Sequence, residues 1–198
     1  AAQAGDVYRV GVFEDVTTTN FFAANGPDNT VWNAYMLPMR LTLYGLADRT
    51  FQFIPNAAAV PTPDPLTQEG DFWVVEIPLR EDITWSDGEP FTAEDVAYTA
   101  EVVKQFELIS GNWVSWYDFS YLDHIEAVDD YTVKLFYHTK PGLARHENGV
   151  LQAPILAEHY WRPLTEGLTS QDELFAIVPD GEPLAGTFLL TAWEPGAF

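Results

Sequence analysis

Short runs of β-forming residues alternate with helical patterns along the chain, and clusters of turn residues separate them. Tyr8-Arg9-Val10-Gly11-Val12-Phe13 reads as an opening strand broken by Glu14-Asp15, followed by a loop from Val16 to Phe22. Trp32, Tyr35, Met36, Met39 and Leu43 recur at helical spacing. They predict a helix from Asn29 to Tyr44, kinked or divided at Pro38 and closed by Gly45. Pro55 to Gly70, where Pro61, Pro63 and Pro65 alternate, predicts a loop with no ladder. Phe72 to Leu79 is a nearly continuous β-forming run. Ile83-Thr84-Trp85 pairs after the polar break Arg80-Glu81-Asp82, and Ser86-Asp87-Gly88 turns the chain.

The sharpest local signal comes next. Thr92 can cap a helix whose third residue, Asp95, reaches back to it, while Phe91 and Val96 occupy the two positions of a hydrophobic staple. The helix therefore starts at Ala93, with Val96, Ala100, Val103 and Phe106 on its buried face and Glu94, Glu101, Lys104 and Gln105 toward solvent. Gly111 ends this unit, and an aromatic loop, Asn112 to Phe119, follows. His124 to Val128 and Tyr131 to His138 read as strands joined at Asp129-Asp130, with Tyr131, Val133, Leu135 and Tyr137 on one face. A helical segment is expected near Leu151 to Tyr160, and a strand from Gly186 to Trp193. Strands and helices mix without a regular βαβ rhythm, which makes the class α+β, or mixed α/β.

Composition narrows the partners. The chain has 198 residues, 47% of them hydrophobic and 15% aromatic, enough to bury a core. Its 9 basic and 30 acidic residues leave a net charge of -21, a surface that repels phosphate backbones and argues against nucleic acid. The bland reading of that charge is a solvated surface that keeps an exported protein soluble, and the sharper one is a cationic ligand. With no cysteine, disulfides, thiolate metal sites and thiol catalysis are excluded together. No apolar run approaches the roughly 18–20 residues that span a bilayer, and Ala1 to Asp6 would suit a mature or trimmed end.

The common nucleotide, hydrolase and metal motifs are missing from the sequence, so no cofactor, metal site or catalytic residue is expected. His124, His138, His146 and His159 are too scattered to place two ligands on one helical face. The acidic doublets Glu81-Asp82, Glu94-Asp95 and Asp129-Asp130 fall at turns or a helix N-terminus, whereas Glu14-Asp15 follows a first strand, where ligand sites often lie. Trp73, Trp85 and Trp193 sit in strand patterns and read as core. For Trp113, Trp116 and Tyr117, in a loop without settled period, ligand contact and loop packing both stay open.

The run from Leu79 to Val96, Leu-Arg-Glu-Asp-Ile-Thr-Trp-Ser-Asp-Gly-Glu-Pro-Phe-Thr-Ala-Glu-Asp-Val, resembles the signature of the extracellular solute-binding family that contains oligopeptide-, dipeptide- and nickel-binding proteins. Ile125 to Leu135, Ala153 to Trp161 and Gly186 to Gly196 follow in that family's order, and Tyr8 to Phe22 fits its first strand and loop. Two stretches depart from the pattern: Ala185-Gly186-Thr187-Phe188, and the proline-rich stretch before Asp71.

The resemblance implies a periplasmic-binding-protein type II-like fold, present as a fragment. Residues 1–53 would be the first part of ligand-binding lobe one, residues 54–178 an inserted domain carrying the Trp-Ser-Asp-Gly signature, and residues 179–198 a return to lobe one. The second ligand-binding lobe would be missing. The signature would be structural, serving as turn, cap and staple. The implied function is that of a non-enzymatic substrate-binding component of an ABC importer. It would be a monomer outside the cytoplasm, periplasmic or extracellular, with membrane anchoring through a lipidated N-terminus absent from this chain left open. It would capture a peptide or similar solute for a membrane permease. A carbohydrate-binding or glycoside-acting domain is the alternative. Solute contacts are expected from Asn20, Phe21, Trp113, Trp116 and Tyr117, where aromatic faces and polar handles meet on irregular backbone.

Overall fold

The computed structural model describes residues 17–25, 36–47, 49–50 and 52–194. The expected strand Tyr8 to Phe13, the Glu14-Asp15 doublet and residues 29–35 of the helix expected from Asn29 to Tyr44 lie outside them. Within them the chain forms α1 (Phe21–Ala24), β1 (Tyr44–Leu46), β2 (Phe53–Pro55), β3 (Thr67–Glu69), β4 (Phe72–Pro78), α2 (Ala93–Gln105), α3 (Trp113–Trp116), β5 (Leu122–Asp129), β6 (Thr132–Tyr137), α4 (Glu158–Thr165) and α5 (Gln171–Phe175).

Four of the strands make one antiparallel sheet in the order β3-β4-β6-β5, and β1 pairs with β2 in a separate ribbon. The β3–β4 turn passes through Gly70 at φ 58°, a conformation that a Cβ would strain. Alternation then sorts the faces. Val75 and Ile77 of β4 lie opposite Leu135 and Val133 of β6, all buried, and α2 packs on β5 and β6 over that face. On the other face Lys134 gathers Glu69 at 2.8 Å and Glu76 at 3.1 Å, tying three strands through charge. The edge strand β5 carries two register shifts, which bend it away from regular pairing with another strand.

The helix expected at Ala93 starts there, with Phe91 and Val96 both buried. Its buried face is broader than the simple stripe, because Tyr98 and Val102 are covered as well as Val96, Ala100 and Val103. The cap has more to it than local geometry. Thr92 and Asp95 form the capping box, and Asp95 Oδ2 accepts the Thr92 N–H at 2.8 Å. The same carboxylate accepts the Trp85 Nε1–H at 3.3 Å, and its Oδ1 accepts the Glu158 N–H at 2.7 Å. Glu158 is the first residue of α4, and the residue at that helix's N-cap, Ala157, has no side-chain acceptor. Asp95 therefore caps two helices at once. One turn on, the Thr99 hydroxyl donates to the Asp95 carbonyl at 2.8 Å and accepts the Leu156 N–H at 3.0 Å, continuing the seam. Burial pushes the Asp95 carboxyl above the ordinary range, against the pull of its three donors.

Several elements differ from the sequence expectation. Pro38 divides the expected 29–44 helix: a 3-10 turn, Leu37–Met39, follows Met36, and Gly45 sits inside β1 rather than closing a helix. Proline cannot donate within a helix, and extended backbone beyond it finds a partner in β2. The proline-rich stretch does enter strand pairing, but outside its alternating prolines, at Pro55, at an isolated bridge between Ala58 and Leu79, and at Thr67–Glu69. The expected 151–160 helix is broken by Pro154 into a 3-10 turn, Val150–Gln152, and α4. Residues 186–193 form no ladder among the described residues. Gly186 and Thr187 instead donate their N–H groups to Met39 and Pro38 carbonyls, at 3.0 and 2.8 Å.

Thr92→Ala should lower stability by about 1 kcal/mol, the usual worth of an N-cap side chain. Asp95→Ala should lower it by on the order of 3 kcal/mol, because one buried and two half-buried donors lose their acceptor. Urea denaturation of the two variants checks the ranking, and equal losses would contradict it.

Candidate functional site

Asn20 precedes α1 and caps it, its Oδ1 accepting from the Phe22 and Ala23 amides at 3.0 and 3.4 Å. Its Nδ2 donates to the Leu174 and Ile177 carbonyls at 2.8 and 3.0 Å, which ties the loop to the end of α5. Asn25, at the other end of α1, donates to the Phe21 carbonyl at 3.1 Å and accepts the Asn112 N–H at 2.9 Å through its own carbonyl. The loop before α1 and the aromatic loop, far apart in the chain, thus share a wall.

Trp113 is the centre of that wall. Its Nε1–H donates to the Phe22 carbonyl at 2.9 Å, Phe22 and Tyr117 stack on it at 5.5 and 6.2 Å, and Phe21 and Trp116 meet it edge-on at 5.9 and 5.4 Å. Asn20, Phe21 and Trp113 are fully buried and Tyr117 nearly so, and burial pushes the Tyr117 phenol well above its usual range. Trp116 is half-buried, so it keeps a free surface where the other four do not. Residues 112–119 are not a plain loop: α3 is a single helical turn that lets Trp113 point inward. Gly149 backs it, at a place where a Cβ would fall 3.1 Å from the Ser115 carbonyl and 2.5 Å from that of Arg145.

Three residues that sequence reasoning passed over extend the wall. Arg40 makes a two-pronged ion pair with Glu182, Nη2 to Oε2 at 2.7 Å, in a position where both side chains are buried. Glu182 also accepts the Trp161 Nε1–H at 2.7 Å, and the Arg40 guanidinium lies over the Phe21 ring at 4.3 Å. Trp161 meets Phe22 edge-on at 5.0 Å, which closes the circuit back to Trp113. Arg40 did carry a signal, as one of only nine basic residues in an apolar stretch. Glu182 reads as part of an Asp-Gly-Glu-Pro turn, and nothing local marks it. A small cavity of about 80 Å³ lies beside this pair, bounded by Thr19, Met36, Met39 and Leu190.

The Trp-Ser-Asp-Gly turn fastens the same elements from behind. Ser86 exchanges two bonds with Leu184, both at 3.0 Å, one from each backbone N–H. Asp87 accepts the Glu89 N–H at 3.2 Å and holds the His159 Nε2 at 2.8 Å. Burial alone would raise the Asp87 carboxyl, but the bonds from His159 and Glu89 together hold it below the ordinary range. Gly88 takes φ 99°, which the turn requires of a residue without Cβ. Among the described residues no cluster of His, Asp and Glu could hold a metal ion, and no helix is long and apolar enough to cross a membrane.

Residues 45–197 match the model for bacterial extracellular solute-binding proteins, family 5, middle region. The chain belongs to that family. The solved structures similar to this family 5 chain place its fold among periplasmic binding proteins. A periplasmic oligopeptide-binding protein of an oligopeptide ABC transporter from Thermotoga maritima is 24% identical with a TM-score of 0.65, and the match covers 91% of this chain and 30% of that one. AgaA from A. tumefaciens R10, in complex with agropinic acid, is 17% identical with a TM-score of 0.60, over 91% of this chain and 32% of its own. OppA of Listeria monocytogenes, bound to peptide, is 21% identical with a TM-score of 0.56, over 79% and 32%. The chain thus spans about a third of the length of these relatives. A comparison with curated protein sequences finds no match.

Trp113→Ala should cost about 3–5 kcal/mol, the usual loss for a fully buried tryptophan, and Trp116→Ala less than about 1.5 kcal/mol. Thermal denaturation of both checks this. A Trp116 variant as damaged as the Trp113 variant would show that Trp116 serves packing alone.

Proposed function

We propose that this family 5 chain is part of the substrate-binding component of an ABC importer, which captures a peptide or similar small solute outside the cytoplasm and delivers it to a membrane permease without catalysis. Family membership and the likeness to periplasmic binding proteins support this reading. The observation that carries it is the joint wall of Asn20–Asn25 and Trp113–Tyr117. Two loops from distant parts of the chain are held rigid there by satisfied hydrogen bonds, with one tryptophan face left free.

In this proposal Trp116 touches the solute directly. Asn20, Phe21, Trp113 and Tyr117 set its position from within the wall, since a contact residue works best when its neighbours lock its rotamer. Residues 1–53 and 179–198 belong to one ligand-binding lobe, and residues 54–178 to an inserted domain. The bonds from Gly186 and Thr187 to Met39 and Pro38 favour that grouping, as does the Arg40–Glu182 pair. A second lobe, supplied by the length this chain lacks relative to its relatives, closes over the solute by hinge motion.

Calorimetric titration of the complete protein with a pooled peptide mixture should show saturable binding, and Trp116→Ala should weaken it by more than about 1 kcal/mol. The 198-residue chain alone should bind weakly or not at all, having fewer contacts to set against the cost of association. Binding of mannose oligosaccharides but not peptides would replace the peptide reading with a sugar one. Equal affinity of the chain and the complete protein would overturn the two-lobe reading.

A further inference from the structure

On the side of the molecule formed by Phe53, the proline-rich stretch and the segment after β6, a cleft of about 300 Å³ has a buried polar floor. That volume is at the lower end of small-molecule sites, roughly 300–1,000 Å³. His146 lines it and is 7% exposed. Its Nδ1 meets the hydroxyl of Tyr137, itself 1% exposed, at 2.8 Å. The Tyr137 hydroxyl has no other hydrogen-bond partner among the described residues, and in the tautomer that satisfies its proton the phenol donates and Nδ1 accepts. The neutral ring then carries its hydrogen on Nε2, for which no described residue provides an acceptor. Burial pushes the His146 pKa down to about 4, which keeps the ring neutral at physiological pH.

The rest of the cleft is equally specific. Its walls include Phe53, Pro63, Leu66 and Leu143, and Leu143 exposes 66% of its surface. Asp64 and Glu147 on one hand and Lys140 on the other bring both signs of charge to its lining, and the exposed Lys140 ammonium, in no ion pair among the described residues, rests over the Trp73 ring at 4.7 Å. Close by, the hydroxyl of fully buried Tyr44 has no partner among the described residues, and the Tyr44 ring meets Phe53 edge-on at 5.2 Å. An apolar recess with an N–H donor at its floor and opposite charges at its mouth matches a small zwitterion with an apolar tail.

We propose that this cleft is an accessory binding site for a free α-amino acid with an apolar side chain. Its carboxylate takes the His146 Nε2–H and Lys140, its ammonium faces Asp64 and Glu147, and its side chain packs on Phe53, Pro63 and Leu143. The site shares no residue with the wall around Trp113, and it does not rest on the transport reading.

The probe is L-leucine, added to the full chain while the histidine ring nitrogens are followed by two-bond 15N–1H correlation. A saturable shift of the His146 ring signals is expected, with little shift at His159. N-acetyl-L-leucine and L-leucinamide, each lacking one charge, should bind at least about tenfold more weakly. Asp64→Asn and Lys140→Gln replace exposed rim residues, so folding should be kept, and each should weaken L-leucine by at least about fivefold. No saturable shift up to about 10 mM, a range that still detects weak binding, would overturn the proposal. Equal binding of the three probes, or rim variants that bind like the parent, would overturn it too.

Discussion

A buried carboxylate with more than one partner holds the described part of this molecule together. Asp95 is 3% exposed and reaches three donors from three segments: Thr92 at the start of its own helix, Trp85 in the signature turn, and Glu158 at the start of α4. A carboxylate this deep is tolerated only because each donor compensates part of the water it has lost. The arrangement is therefore all or nothing. Releasing one segment leaves the others with an under-satisfied buried charge, so the signature turn, α2 and α4 are bound into one unit.

The Trp-Ser-Asp-Gly turn acquires a physical meaning from this. Trp85 donates to Asp95, Ser86 exchanges bonds with Leu184, Asp87 holds His159, and Gly88 supplies the backbone freedom that lets the other three point in different directions. Each side chain serves a different long-range connection, which explains why the run reads as so specific a pattern although none of its residues lies in the wall around Trp113. It is a clasp between the helices and the 182–187 segment, whose Glu182 joins Arg40 and Trp161.

Much of the fold was legible because its cues are local. Phe91, Thr92 and Asp95 announce a helix start within five residues, and the alternation of Val133, Leu135 and Tyr137 announces the buried face of a strand. What was not legible depended on partners far along the chain. The second role of Asp95 involves Glu158, 63 residues away, and no window of sequence shows it. Residues 186–193 have strand chemistry, yet backbone ladders need a neighbour, and Gly186 and Thr187 bond to the turn at Pro38 instead. At the candidate site, Trp113 and Trp116 look alike in sequence. The carbonyl of Phe22 separates them, because it takes the Trp113 N–H and draws that ring inward. The helix expected at 151–160 is divided for a simpler reason, since Pro154 within it has no N–H to donate to a continuous helix.

This arrangement suits a rigid element of a binding protein. The wall around Trp113 is carried on segments that the clasp ties together, so a solute meeting it would find a surface already formed, with little ordering left to oppose binding. The most direct measurement of that unity is native-state hydrogen exchange at the Thr92 and Glu158 amides, both of which donate to Asp95. If one carboxylate binds the helices into a single unit, both amides open only with the same free energy as the core strand amides of Val133 and Leu135. Exchange at Glu158 with a distinctly lower opening free energy than at Thr92 would mean that α4 unfolds by itself, which would contradict the account.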